Sequence, residues 1–390
     1  MKILDFLQIS WPDLQEKYIS TRLIDVSYHE RFPLAMYTYG REAVYGNIWD
    51  SVTRKCRGIV FNTETGDIVA RPFEKFHNIF TAGMPETDPS TWTYSQGDDV
   101  LFGEPEVWEK MDGFLATLYE WEGKQYIASK GSFDSPHAKW ATGWVQARTL
   151  FQFPTGYTPV FEGISPNFRI VVDYKFEGLV LLALIHNETG EELSGVDLVS
   201  WAELNNLNTP SQFPCTWQEA AELSNDESIK NQEGYVLCWR RPGTTPFRLK
   251  VKYTDYCRLH KMIATVSPKA IFKCLSDGTR DDLVEWTTDS LPWFNRFVTK
   301  WVRAMEYRYN ELSLKADGIF HTCQQVMKVL HKDDFPLRKE WAEMFLREEN
   351  KEVSAVLFGL LDGKDVTPIL WKMVRPLIHN SHPMVDVHNL

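Results

Sequence analysis

No apolar run in the sequence is long. The longest, Leu179–Ile185, falls far short of the roughly 20 residues a membrane-spanning helix needs. The first residues, MKILDFLQISWPDLQEKY, contain no apolar core of secretory-signal length. Cysteine is scarce, with six in 390 residues at positions 56, 215, 238, 257, 274 and 323. No two form a CxxC pair and none joins histidines at zinc-ligand spacing, which argues against a zinc module. Free thiols in a reducing compartment are the simplest reading, so the expectation is a cytoplasmic protein without a membrane segment. Positive charge is in deficit: 42 Lys and Arg stand against 53 Asp and Glu, a net charge of −11. That balance argues against a chain that coats nucleic acid through bulk charge. G-x-S-x-G, HExxH and P-loop patterns are missing too.

What is present is apolar and aromatic. Hydrophobic residues make up 43% and aromatics 14%, with 15 Trp, enough for large cores and too ordered a composition for a disordered chain. The length suits two or three domains. The charge is patterned. Residues 86–122 hold ten acids and one base, and residues 186–229 hold nine acids and no Lys or Arg. With these two stretches set aside the rest nets +7, and residues 230–260 carry seven bases and two acids. The acidic stretches read as solvated faces, and the basic segment as a local site.

Up to about residue 260, short β-branched and aromatic runs alternate with Gly, Asn and Asp turns. Leu34–Tyr39, Gly58–Phe61, Leu115–Tyr119, Gln125–Ala128, Arg169–Val172, Leu179–Leu184 and Gly234–Trp239 are the expected strands. Helices are expected over Ser135–Phe151 and Thr216–Leu223. Beyond 260 the period changes to three and four: Phe294, Val298, Trp301, Met305, Tyr309 and Leu312, then Phe320, Cys323, Met327 and Leu330, then Trp341 and Phe345, then Val353–Leu361. The expectation is an α+β fold of antiparallel sheets over 1–260 followed by an all-α domain over 261–390. Aromatics on the helical faces read as core. Asp333-Asp334 reads as a helix terminus rather than a metal patch. Arg240-Arg241-Pro242-Gly243 reads as a hairpin turn with two exposed arginines.

Five segments carry chemistry: Lys110-Met111-Asp112-Gly113, Phe161-Glu162-Gly163, Glu233-Gly234-Tyr235-Val236-Leu237, Leu249-Lys250-Val251-Lys252 and Ser129-Lys130-Gly131-Ser132. In a strand, Lys250 and Lys252 share one face, with Leu249 and Val251 on the other. The ordered set KMDG, FEG, EGYVL and LKVK resembles nucleotidyltransferase motifs I, III, IV and V of covalent ligases and capping enzymes. CRGIVF at 56–61, RPFEKFHN at 71–78, SKGS, the SPNFRIV run and KVKYTDYCRLH at 250–260 narrow the resemblance to the T4 RNA ligase 1 family, over residues 30–260.

The resemblance implies an ATP-dependent RNA ligase that joins 5′-phosphate to 3′-hydroxyl ends through lysyl-AMP and RNA-adenylate, in RNA repair with nicked tRNA among its substrates. An end-healing kinase-phosphatase is an implied partner. Lys110 would be the nucleophile, and Lys250 and Lys252 would grip the α-phosphate. Arg57, Lys75 and Lys130 would contact phosphates of ATP or of the RNA end. Glu162 would hold the ribose and Glu233 the metal, Mg²⁺ or Mn²⁺. Gly113 would let the backbone approach the nucleotide. A lysine attacks only when neutral, and its ordinary pKa is about 10.4. Nearby cations lower it and acids raise it, so Asp112, placed with the nucleotide-binding set, is expected to spend its carboxylate on hydrogen bonds rather than on Lys110. Tyr235 and Phe161 could flank the base or pack in the core. Three alternatives share parts of the pattern: a DNA ligase, a GTP-dependent capping enzyme, and a non-catalytic RNA-binding relative. The first two usually carry an OB barrel after motif V, where this chain is helical.

Overall fold

The computed structural model describes residues 1–92, 103–193, 195–240, 243–279, 283, 291–331 and 336–376. Arg241, Pro242, Asp333 and Asp334 lie outside the described residues. The chain falls into two compact units, Met1–Leu259 and His260–Leu390.

The first unit holds three sheets. Strands β1 (Ile24–Tyr28), β2 (Leu34–Tyr39), β3 (Arg57–Asn62) and β4 (Ile68–Ala70) form one antiparallel sheet in sequence order. β7 (Phe114–Trp121), β8 (Lys124–Ser129), β9 (Tyr157–Ile164) and β10 (Gly178–His186) form a second, in the order β10-β9-β7-β8. The third runs β11-β6-β12-β13-β5, from β5 (His77–Asn78), β6 (Glu106–Glu109), β11 (Gln212–Phe213), β12 (Gly234–Trp239) and β13 (Phe247–Lys252). The β5–β13 pair is parallel and the other pairs are antiparallel.

Apolar alternation explains the packing. Leu34, Met36 and Val60 from the first sheet meet Tyr119 and Ala128 from the second. On its other face the first sheet buries Ile24, Tyr37, Ile59 and Phe61 against Phe6, Leu7 and Leu14. Helix Pro136–Gln146 covers the second sheet through Ala141 and Val145, and its N-cap Ser135 accepts from Ala138 N–H. The helix stops at Gln146, short of the expected Phe151, which instead packs in that core.

Two sequence expectations change. Arg169–Val172 is not a strand. A 3-10 turn, Pro166–Phe168, precedes it, and Val171 and Val172 each donate their N–H to Asp112 Oδ2 at 2.8 Å. The backbone donors of a would-be strand are spent on a carboxylate. The acidic stretches are also not uniformly solvated. Glu86 pairs with Arg54 and Glu106 with Arg240, and Glu192, only 1% exposed at its side chain, pairs with Arg248.

In the second unit, the expected period resolves into a helix over Pro292–Leu330 that buries Phe294, Val298, Met305, Leu312, Cys323 and Met327. It packs on helices Pro268–Asp277, Ser354–Leu361 and Thr367–Val374. Tyr309 packs at a tilt against Trp371, ring centres 4.7 Å apart, and Phe320 stacks on Trp341 at 5.9 Å. These aromatics build core, as the periodicity implies. Among the described residues no helix is long and apolar enough to cross a membrane. All six cysteines are free thiols.

Candidate active site

β6, β12 and β13 lie side by side, and their register sets the site. Gly234 lies opposite Lys252 on β13, while its carbonyl accepts from Lys110 N–H at 2.9 Å. Glu233, one residue earlier, is therefore flanked by both lysines. Lys110 Nζ reaches Glu233 Oε2 at 2.8 Å and Lys252 Nζ reaches Oε1 at 2.8 Å. The carboxylate is 4% exposed and both of its oxygens are occupied by cations. The period of two holds on β13: Leu249 and Val251 are buried at 1% and 2%, while Lys250 and Lys252 face the other way with Arg248.

Arg248 on that face lines a cavity of about 270 Å³, whereas Lys250, Lys252 and Glu233 lie outside its lining. Arg57, Lys110, Gly113, Lys130 and Glu162 line it, and Trp108, Met111, Leu115, Leu182 and Val236 give it apolar walls. Glu162 reaches across from β9, and its Oε1 accepts from Gly113 N–H at 3.0 Å. Burial pushes the Glu162 carboxyl up to about 7, with Lys110 opposing and Glu233 reinforcing the shift. Lys250 is pushed down to about 7 by burial, then by the nearby cations Lys75, Lys110, Lys252 and Arg57. Arg57 lies over the Phe76 ring at 5.6 Å, with its buried Nη1 lacking a hydrogen-bond partner. Lys130 Nζ lies 4.6 Å from the Tyr39 ring centre.

Lys75 stands apart from that lining. It projects over Trp49 at 4.9 Å and donates to Phe76 O at 3.0 Å. It lines a smaller cavity of about 120 Å³ with Arg54 and His77, beyond a wall of Phe73, Phe76 and Arg248 that both cavities share. Burial and the cations Arg57, Arg54 and Lys130 lower its ammonium to about 8.

Asp112 does not pair with Lys110. Oδ2 takes the Val171 and Val172 N–H groups, and Oδ1 takes the Tyr256 hydroxyl at 2.7 Å. Its own N–H donates to Tyr174 Oη at 2.9 Å. The carboxylate thus anchors the loop after Lys110 rather than lining the cavity. Gly113 lines the cavity and is also required by the protein: a Cβ there would lie 2.3 Å from Gly163 O on the paired strand β9. Phe161 and Tyr235 are core residues, buried at 0% and 4%, and Tyr253 donates its hydroxyl proton to Tyr235 Oη at 2.5 Å. Arg240 is not an exposed turn residue. Its Nε donates to Glu106 Oε1 at 2.8 Å, and it lines the larger cavity.

Three features were not singled out from sequence. Tyr256 ties Asp112 down while Lys252 lies 4.8 Å over its ring. Tyr174 braces the backbone at Asp112. Arg248 donates Nη1 to Glu192 Oε1 at 2.6 Å. Arg248 was findable, because the period of two that pairs Lys250 with Lys252 also includes it. Tyr256 and Tyr174 carried no such signal.

Known proteins are similar to this chain over much of its length. A protein of Thermovibrio ammonificans is 27% identical over 247 residues, which cover 60% of this chain and 61% of that one, so the match spans less than two thirds of that relative. An RNA ligase of Rhodothermus phage RM378 is 22% identical over 369 residues, covering 80% and 81%. The structure of an archaeal ATP-dependent RNA ligase aligns over 80% of this chain and 81% of its own, at 14% identity and a TM-score of 0.47. Residues 55–256 match the family model described as RNA ligase, of the T4 RNA ligase 1 type. That stretch is more than half of the chain and contains Lys110, Glu162, Glu233, Lys250 and Lys252, so the chain belongs to this RNA ligase family.

Proposed function

We propose that this chain is an ATP-dependent RNA ligase that joins 5′-phosphate and 3′-hydroxyl ends. The observation that carries the reading is Lys110 lining a cavity of about 270 Å³ and hydrogen-bonded to a carboxylate that a second lysine shares. Lys110 attacks as the free amine, so its proton leaves first, and Glu233 Oε2 is an acceptor within 2.8 Å. The amine forms a P–N bond to the α-phosphate of ATP and pyrophosphate departs. The AMP then passes to the RNA 5′-phosphate, freeing the lysine. The RNA 3′-hydroxyl attacks that phosphate and expels AMP.

Charge neutralisation dominates such phosphoryl chemistry. Arg57 and Lys130 supply it from the cavity lining, and Lys250 and Lys252 from β13 beside that lining. Lys250, with its pKa near 7, is only partly charged at neutral pH until a phosphate draws it into the ammonium form. Among the described residues no group of three His, Cys, Asp or Glu could hold a metal by itself. Mg²⁺, which binds through few carboxylates plus substrate phosphates, fits this arrangement, with Glu233 as its protein ligand and Mn²⁺ as a substitute. When bound it would neutralise phosphate oxygens.

RNA repair in the cytoplasm, on substrates such as nicked tRNA whose ends a kinase-phosphatase has prepared, is the setting this chemistry suits. The deciding experiment is incubation with α-labelled ATP and Mg²⁺. Label on the protein that is lost in Lys110→Ala supports the reading. A folded protein that takes no label overturns it, and label from GTP alone redirects it to capping.

A further inference from the structure

Beside the catalytic cavity runs a second groove, of about 420 Å³, on the open edge of the first sheet. Its lining includes Asp25 on β1, Tyr39 at the end of β2, Arg41, Val44 and Tyr45 on the short helix Arg41–Tyr45, and Lys130. Lys130 lines both this groove and the catalytic cavity, so the two meet at one cation. The junction is rigid: Ser27 Oγ donates to Gly131 O at 3.0 Å, and a Cβ on Gly58 would lie 2.8 Å from Lys130 O.

The groove is built for a ligand that is both flat and anionic. Tyr45 is 81% exposed and Val44 48%, an apolar and aromatic face that no described residue covers. Two cations, Arg41 and Lys130, stand against one acid, Asp25. Thr38, only 7% exposed, also lines it, and its hydroxyl has no hydrogen-bond partner. Aromatic faces set between cations, with hydroxyl and carboxylate groups that can meet a ribose 2′-hydroxyl, match single-stranded RNA.

We propose that this groove carries the RNA strand next to the reacting end, with a base stacked on Tyr45 and phosphates at Arg41 and Lys130. The proposal rests on the ligase reading for its direction. An RNA end placed in the catalytic cavity beside Lys130 leaves along the groove, away from Lys110 and Glu233.

The test is fluorescence anisotropy with a 5′-phosphorylated, 3′-fluorescein-labelled single-stranded RNA of about 12 nucleotides. The proteins are the full chain, the double variant Arg41→Ala/Tyr45→Ala, and Tyr45→Phe. The double variant should raise Kd at least about fivefold and flatten its salt dependence. Tyr45→Phe, which keeps the stacking face, should bind like wild type. In ligation the double variant should raise KM for RNA, with the label taken from ATP following wild type. An unchanged Kd in the double variant overturns the groove, whether or not the protein ligates. A wild-type protein that binds RNA but takes no label from ATP overturns the ligase reading and leaves the groove to the Kd comparison.

Discussion

Lys110 Nζ donates to Glu233 Oε2 at 2.8 Å, and the same carboxylate holds Lys252 through its other oxygen. The proposed nucleophile therefore sits in an ion pair that a second lysine shares.

Removing that acid should disturb both stability and chemistry. Glu233→Ala leaves Lys110 and Lys252 facing each other without a counter-charge. Breaking a buried pair from one side costs about 3–5 kcal/mol. Urea unfolding should show a loss on that scale, and labelling by ATP should fall to background. Wild-type stability in Glu233→Ala would contradict the arrangement.

Lys110→Ala should take no label from ATP and should not seal unactivated RNA, yet should still join RNA that is already adenylated. The last step needs Lys252, Lys250 and the cavity, but no nucleophilic lysine. Sealing of unactivated ends at the wild-type rate by Lys110→Ala would remove the covalent mechanism.

Two buried groups should pull stability in opposite directions with pH. Lys250 has its folded pKa lowered to about 7, so between about pH 7 and 10.4 the unfolded chain binds its proton and the folded chain does not. Stability from this group therefore rises with pH across that window, and the advantage of Lys250→Met over wild type should shrink there. Glu162 has its folded pKa raised to about 7, so between about pH 4.3 and 7 the folded chain holds the extra proton. Stability from this group falls as pH rises, and Glu162→Gln should gain on wild type over that window. Denaturant midpoints at a series of pH values measure both, and flat differences would refute the burial assignments.

Gly113→Ala should destabilise the protein by about 1–3 kcal/mol through overpacking against Gly163 O. Labelling by ATP should fall with it, because Gly113 N–H also holds Glu162. A thermal melt at the wild-type midpoint would show that the crossing relaxes freely.

Arg248 and Glu192 form a pair whose side chains are 9% and 1% exposed. Glu192→Gln alone should cost about 3–5 kcal/mol, because it leaves a guanidinium buried without its counter-charge. Arg248→Met combined with Glu192→Leu should recover most of that loss. A double-mutant cycle with no coupling would show that the pair acts independently.

Much of this site was legible in the chain. Lys250 and Lys252 share a face because strand geometry has a period of two, and that needed no structure. Lys110, Glu162 and Glu233 were found by their order and neighbours. What escaped was long-range. Asp112 anchors backbone 59 and 60 positions away, and those donors turned an expected strand at Arg169–Val172 into a loop. The close approach of Gly113 to Gly163 on another strand also escaped. The acids at 86, 106 and 192 read as solvent-facing by composition, yet each meets an arginine remote in sequence. Periodicity reports the face a residue occupies; it does not report which residue arrives opposite.

The placement of β6 between β11 and β12 has a consequence for synthesis. Lys110 leaves the ribosome long before Gly234, whose carbonyl positions it, and before Lys252, which shares its carboxylate. Until β12 emerges, Lys110 has neither the Glu233 carboxylate nor the Gly234 carbonyl to hold it. A nascent or truncated chain that ends before Lys252 lacks the second cation on Glu233, so on the proposed mechanism it should take no label from ATP.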